Sequence, residues 1–351
     1  MDALTQGVLG AAAAQAVLSD RLGRRVWLYG ALGGWAPDLD VFIRSSIDPT
    51  VAIEYHRNFT HALAFIPIGG LLVALPWILR KKRFPEWRTI ALATTVGYAT
   101  HGLLDAFTSY GTMLLWPFSD VRVAWSWIAI VDLGYTLPLI VGVILAARRS
   151  SARPARIALL ISSVYMLLCG AQRARVVAAQ DDLQAYRGHH PARADAFPTL
   201  ANNVTWRSLY AADGVIYADK IRVPWFGAAR VIAGERAPLL DPSEDAAYAS
   251  DPATARALAL FRWFSAGWVA RDRDDPERIG DLRYALEPGG VSAMWGLILR
   301  PGAEPAVIWD RGDTRGALAS RVWTVLFDDG AAPLLIGGEP APGAPPPGAS
   351  P

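Results

Sequence analysis

The sequence predicts a membrane-embedded all-α bundle of about five to six transmembrane helices followed by a small soluble α+β domain. Three observations carry this expectation. The chain is 52% hydrophobic, with a mean hydropathy of +0.23 and 19% charged residues, against roughly 25% in soluble domains. Its long apolar runs are confined to residues 1–172. Beyond 173 charges become frequent, and no run reaches the roughly 20 apolar residues that a bilayer crossing needs.

The candidate spans are residues 25–43, 60–79, 89–108, 124–147 and 155–171, preceded by an Ala-rich run over 3–19 that spans or lies at the interface. No basic residue precedes that first run, which argues against a cleaved signal peptide. Residues 173–336 form the expected soluble domain. Strand patterns cover Asn203–Tyr210, Gly214–Tyr217, Asp281–Leu286 and Met294–Arg300, and Ala253–Ala266 reads as a helix. The tail, 337–351, is rich in Pro, Gly and Ala and is expected to be disordered. The lone cysteine, Cys169, allows no intramolecular disulfide and no cysteine metal site. A net charge of +2 gives no bulk electrostatic case for a nucleic-acid partner.

Basic residues in short loops set orientation. The loops at 20–25, 80–88 and 148–156 are rich in Arg and Lys, whereas 44–59 carries Arg44 and Arg57, and 109–123 carries only Arg122. The basic loops are therefore expected in the cytoplasm. The other two loops and the soluble domain are expected outside, on the periplasmic side of a bacterial inner membrane. Arg173 and Arg175, just past the last span, run mildly against this bias. The same assignment puts Asp38, Asp40, His56, His61, His101 and Asp105 at the outward side, although none of them entered it.

These residue types can bind metal. A carboxylate within the bilayer costs at least about 2.5–3.5 kcal/mol unless it is paired or hydrated. His101 and Asp105 are one helical turn apart and share a face. Asp38 and Asp40 follow Pro37 at an expected helix end, where they can splay around a cation. His56 and His61 are five apart, workable if a turn falls between them, and Thr60 is a reasonable N-cap for the third span. Each pair alone has a plain structural reading, as a hydrogen-bonded pair or solvated carboxylates. Their convergence on one side favours a divalent metal, with zinc the first choice for imidazole and carboxylate. His189-His190, in a polar linker, reads as surface. Asp132 is either a structural hydrogen-bonding group or a base.

The set Met1-Asp-Ala-Leu-Thr-Gln-Gly-Val-Leu-Gly10, Pro37-Asp-Leu-Asp40, His56-Arg-Asn-Phe-Thr-His61, His101-Gly-Leu-Leu-Asp105 and Thr108-Ser-Tyr-Gly-Thr-Met-Leu-Leu-Trp-Pro-Phe118 occurs in that order. It resembles the YdjM-like family of inner-membrane metal-dependent hydrolases over roughly residues 1–175. Many members begin Asp-x-x-Thr-His; here Gln6 stands at the His position, and Gln is a poor zinc ligand. The His-x-x-x-Asp element is also similar, over a short stretch, to one in the zinc-dependent phospholipase C and single-strand nuclease group, which suggests phosphoester hydrolysis.

The resulting expectation is a membrane-bound hydrolase whose metal is held by some of Asp38, Asp40, His56, His61, His101 and Asp105. Asp132 or Asp40 would serve as general base, and Arg57 and Tyr110 would hold an anionic substrate such as a membrane lipid or lipid-linked phosphoester. Two other readings use the same residues: a transporter or ion pathway, and a non-enzymatic scaffold whose outer domain binds a protein partner.

Overall fold

The structure, a computed structural model, describes residues 1–240, 245–285 and 287–312; the Pro/Gly/Ala tail lies outside them. A helical first half is followed by a region built on two antiparallel sheets. The chain forms two compact units: Met1–Gly170 with Leu200–Asn202 and Ala259–Gly267, and the remaining residues from Ala171 on. The boundary expected at 172/173 falls inside one continuous helix.

In the first unit, α1 (Ala3–Leu22) starts where the Asp2 carboxylate accepts from the Thr5 amide at 3.0 Å, and it ends at Gly23, whose φ of +59° few other residues adopt. α2 (Val26–Trp35) tightens into a 3-10 segment, Ala36–Phe42, at Pro37, which has no N–H to continue the α ladder. The expected third span is broken. After a short α3 (Val51–Tyr55), the 3-10 turns Phe59–His61 and Leu63–Phe65 take up its first residues, and α4 (Ile66–Leu79) the rest. Phe65, not Thr60, occupies the N-cap position of α4. α5 covers Trp87–Ala106. α6 (Leu133–Arg149) begins only after an irregular stretch, because the Asp132 carboxylate caps it through the Tyr135 amide at 3.2 Å. α7 (Arg153–Tyr186) is 34 residues long.

α7 is long and apolar enough to cross a membrane, and the segments 51–61 and 63–79, bent by 62° at their break, pass the same test as a pair. No other element among the described residues does. α1 and α5 have 20 residues each but fall short in apolarity, because Gln6, Gln15, Thr94, His101 and Asp105 are threaded through them. All five of those polar side chains are buried. The outer surface is apolar instead: Leu71, Leu72 and Leu75 of α4, Val141 and Ile144 of α6, and Leu160, Ile161 and Leu167 of α7 are exposed.

α1, α2 and α5 pack backbone to backbone. A Cβ at Gly33 would strike the Thr94 carbonyl, one at Gly97 the Gly30 carbonyl, and one at Gly34 the Gln6 carbonyl. Small residues at such crossings let helices approach where no hydrophobic driving force exists between them. At one end of the bundle Leu18, Val26, Tyr29 and Ile90 cluster, and Arg156 donates to the Ala16 carbonyl at 2.8 Å. At the other end Met1, Leu9, Leu104, Ile128 and Tyr135 cluster. The basic stretches 20–25, 80–88 and 148–156 thus gather at the end opposite Gln6, Asp105 and Asp132.

In the second unit, β1 (Arg193–Pro198), β2 (Thr205–Ala212), β3 (Val215–Arg222) and β4 (Arg230–Ile232) form one antiparallel sheet in that order, and β5 (Arg236–Pro238) also pairs with β3. α8 (Asp245–Ala249) and α9 (Pro252–Phe264) precede a second sheet, β6 (Val269–Arg271), β7 (Arg278–Asp281), β8 (Gly296–Leu299) and β9 (Val307–Asp310). The sequence reading had three of these strands, β2, β3 and β8; its fourth, Asp281–Leu286, meets β7 only at Asp281, because the chain turns at Leu282, and Leu286 lies outside the described residues. β2 is buried along its whole length, with Trp206 and Tyr210 packed against Val176 and Leu183 of α7, and Leu209 on its other face against Trp268 and Leu282. Arg207 of β2 is buried among carbonyls, donating to Leu282 and Pro288, each at 2.7 Å, and burial pushes its guanidinium down to about 10. His189 is not a free surface group: its Nδ1 lies 2.9 Å from the Tyr210 hydroxyl and its ring packs on Tyr217.

The glycine crossings predict that Gly33→Ala, by forcing α2 off the Thr94 carbonyl, destabilises the detergent-solubilised protein by about 1–3 kcal/mol. A thermal melt should show a drop of several degrees; an unchanged midpoint contradicts the backbone-to-backbone crossing.

Candidate metal centre

The site residues come from three segments of the first unit. The 3-10 segment after Pro37 supplies Asp38 and Asp40. The loop between α3 and α4 supplies His56, Arg57, Thr60 and His61. The last turns of α5 supply His101 and Asp105. The turn required between His56 and His61 is there: Arg57 has a left-handed φ of 60°, and Phe59–His61 is a 3-10 turn. A left-handed backbone costs a non-glycine residue about 1–2 kcal/mol. It is held by the Arg57 amide donating to Asp40 Oδ2 at 2.8 Å and by the Met113 amide donating to the Arg57 carbonyl at 3.0 Å. Gly102 completes the approach, since a Cβ there would meet the His61 carbonyl.

Four donor atoms converge. His61 Nε2 lies 3.5 Å from Asp38 Oδ1 and 3.3 Å from Asp105 Oδ2. His101 Nε2 lies 3.3 Å from Asp38 Oδ1 and 3.5 Å from Asp105 Oδ2. His61 Nε2, His101 Nε2 and Asp105 Oδ2 are buried and have no hydrogen-bond partner. Buried polar atoms are normally paired. A cation bonded at about 2.0–2.2 Å to each donor of a tetrahedron would hold those donors roughly 3.3–3.6 Å apart. Four of the six edges have that length, and all four atoms lie within 4.8 Å of one another. The residues present therefore fit a metal.

The far side of each ligand is fixed in the way a metal site requires. His101 Nδ1 lies 2.5 Å from the Gly34 carbonyl, which can only accept, so Nδ1 carries a proton and the neutral ring has its lone pair on Nε2. His61 Nδ1 lies 3.0 Å from the Thr60 hydroxyl, which itself donates to Asp40 Oδ2 and so accepts from the ring, and 3.3 Å from that carboxylate, with the same consequence. Asp105 Oδ1 accepts from Gln6 Nε2 at 2.9 Å and from the Met1 amino group, leaving Oδ2 toward the imidazoles. Asp38 is 28% exposed at its side chain and is the open edge of an otherwise buried set.

Not every expected ligand joins this group. Asp40 also takes the His56 ring at 2.8 Å and the Thr60 hydroxyl at 3.1 Å. Asp38, Asp40 and His56 form a second His/Asp group with metal-compatible spacing, but there Asp40 Oδ1 and His56 Nδ1 already face each other in a hydrogen bond. Asp132 belongs to neither group; it caps α6 and accepts from the Tyr165 hydroxyl at 3.1 Å.

A cationic and aromatic wall flanks the centre. Arg57 Nε lies 3.2 Å from Asp105 Oδ2, its Nη1 donates to the Thr108 hydroxyl at 3.0 Å, and its guanidinium stands over the Tyr110 ring at 4.7 Å. Arg122 lies against Tyr110, Trp263 and Phe264 and donates to the His56 carbonyl at 3.3 Å. Sequence reasoning had Arg57 and Tyr110. It missed Thr108, though it follows Asp105 by one helical turn, and Arg122, though it is the only cation in its loop. Trp263 and Phe264 carried no signal, being more than a hundred residues away in sequence.

A family model described as YdjM inner membrane protein matches residues 1–176 of the 351, the part that contains the whole centre. No curated protein and no solved structure matches the chain.

Two outcomes follow from the geometry. The His101→Ala, Asp105→Ala double variant should lose its bound transition metal in elemental analysis of purified protein. Asp40→Asn should keep all four donors yet bind metal about 10–100-fold more weakly in a chelator competition, because it loosens His61. Wild-type protein without metal, or a double variant that retains it, contradicts the centre.

Proposed function

Since the chain belongs to the YdjM inner membrane protein family, we propose that it is a membrane-bound metal-dependent hydrolase acting on a phosphoester, carried by a membrane lipid or a lipid-linked substrate, at the outer face of the inner membrane. One observation carries the reading: two buried imidazole nitrogens without a hydrogen-bond partner converge with two carboxylates beside an arginine. A structural ion would need no cation next to it, whereas an anionic substrate does.

Asp38, His61, His101 and Asp105 would hold the metal, and zinc suits that mixture of imidazole and carboxylate. When bound, it supplies a water of lowered pKa and polarises the scissile group. Asp40 and the Gly34 carbonyl keep the two imidazoles in the binding tautomer. Arg57, locked by Thr108 and stacked on Tyr110, presents its guanidinium to a phosphate. Asp38 and His56, 28% and 23% exposed, mark the side from which substrate arrives. The capped and hydrogen-bonded state of Asp132 favours a structural role for it over that of a base. The gathering of the basic stretches at the other end of the bundle supports a multi-pass topology with the centre outward and the C-terminal region periplasmic.

Metal-loaded protein assayed against a panel of phosphoesters is expected to hydrolyse at least one. Arg57→Ala should lower kcat/KM by about 100-fold with metal content unchanged, and Arg57→Lys should not restore it, since a point charge lacks the two-pronged fit to phosphate. Absence of hydrolysis on any phosphoester, ester or amide by the metal-loaded wild type overturns the proposal.

A further inference from the structure

Away from the His/Asp cluster, α6 and α7 border an open groove of about 580 Å³ at the basic end of the bundle. Its shape follows from residue size. Gly142 and Ala158 are buried where the helices cross, and a Cβ on Gly142 would strike that of Ala158, so the floor is low. The walls are large and apolar, with Val141 and Ile161 exposed by 55% and 50%. The groove runs along α6 from Leu137 to Arg149, about 18 Å at 1.5 Å per residue. That matches one leaflet of a hydrocarbon core roughly 30 Å thick.

The mouth is of a different character. Arg149, in the last turn of α6, and Arg153, the first residue of α7, line it. No ion pair engages either of them among the described residues. The N-terminus of α7 opens at the same place, and helix N-termini favour anions. Arg148 and Arg156 lie on the same short stretch.

We propose that this groove is a binding site for one anionic phospholipid of the leaflet facing the basic loops, with an acyl chain over Gly142 and Ala158 and the headgroup phosphate between Arg149 and Arg153. Basic pockets between membrane helices recognise such headgroups, and an acyl chain contributes about 0.8 kcal/mol per buried CH2. Neither part alone accounts for the site: the walls ask for a chain and the mouth asks for an anion. The inference is independent of the metal centre and of hydrolysis.

The test uses the full chain, purified and delipidated in detergent, with binding read by native mass spectrometry and by thermal shift. Phosphatidylglycerol should bind at least about 10-fold more tightly than phosphatidylcholine. Arg149→Ala with Arg153→Ala should bring the two lipids level. Val141→Trp, which fills the groove and leaves the arginines, should weaken both, and an unchanged elution volume and a cooperative melt of the delipidated protein will show that this variant is folded. Glycerol phosphate, which lacks acyl chains, should neither bind nor raise the melting temperature. Equal retention of both lipids by the wild type means annular lipid only and overturns the proposal. So does phosphatidylglycerol binding unchanged in both variants, or glycerol phosphate binding as tightly as the lipid.

Discussion

A carboxylate sealed inside a protein has to be matched atom by atom, and Asp105 imposes that requirement on the first half of this chain. Its Oδ1 is met by Gln6 from α1 and by the Met1 amino group. Its Oδ2 faces Arg57, His61 and His101. These partners come from α1 and the residue Met1 ahead of it, from the α3–α4 loop and from α5 itself, so the elements must approach closely, and the glycines of α2 and α5 permit it. The same closeness brings the Gly34 carbonyl to His101 Nδ1. The His/Asp cluster that could hold a metal and the backbone-packed helix core are thus one construction: the cluster's geometry follows from helices that touch without side chains between them.

The site was legible in the sequence to the extent that its chemistry is local. His101 and Asp105 declare themselves by a four-residue spacing, and Asp38 and Asp40 by a proline that stops the α ladder. The division of labour was not legible. Asp40 and Asp38 are two residues apart and chemically identical, yet one steers two histidines while the other faces the donor cluster. Only the left-handed turn at Arg57 decides which carboxylate lies behind the loop and which in front of it. Gln6 is similar. It is a poor ligand, and it sits against Asp105 as a donor.

In the fold, apolar runs located the helices but overstated their continuity. The run at 60–79 starts at a break where the chain bends by 62°, and the run at 124–147 conceals eight irregular residues before the Asp132 cap. Hydropathy averages over both faces of a helix and cannot register a polar interior inside an apolar surface, which is the character of α1 and α5. The C-terminal strands were legible where most of the strand is apolar or aromatic, as in β8, whereas β7, with Arg278, Gly280 and Asp281 in four residues, was met only at its last residue. α7 was read as ending near 171, because its apolarity stops there; its helix continues to Tyr186 and buries Val176 and Leu183 against β2.

The central claim is that two imidazoles and two carboxylates share one cation. Crystals of the metal-loaded protein, measured on either side of the metal's absorption edge, test it directly. The account predicts a single strong anomalous peak about 2.0–2.2 Å from His61 Nε2, His101 Nε2, Asp38 and Asp105. A structure with no anomalous peak among those four residues, or with His61 and His101 turned to other partners, would contradict it.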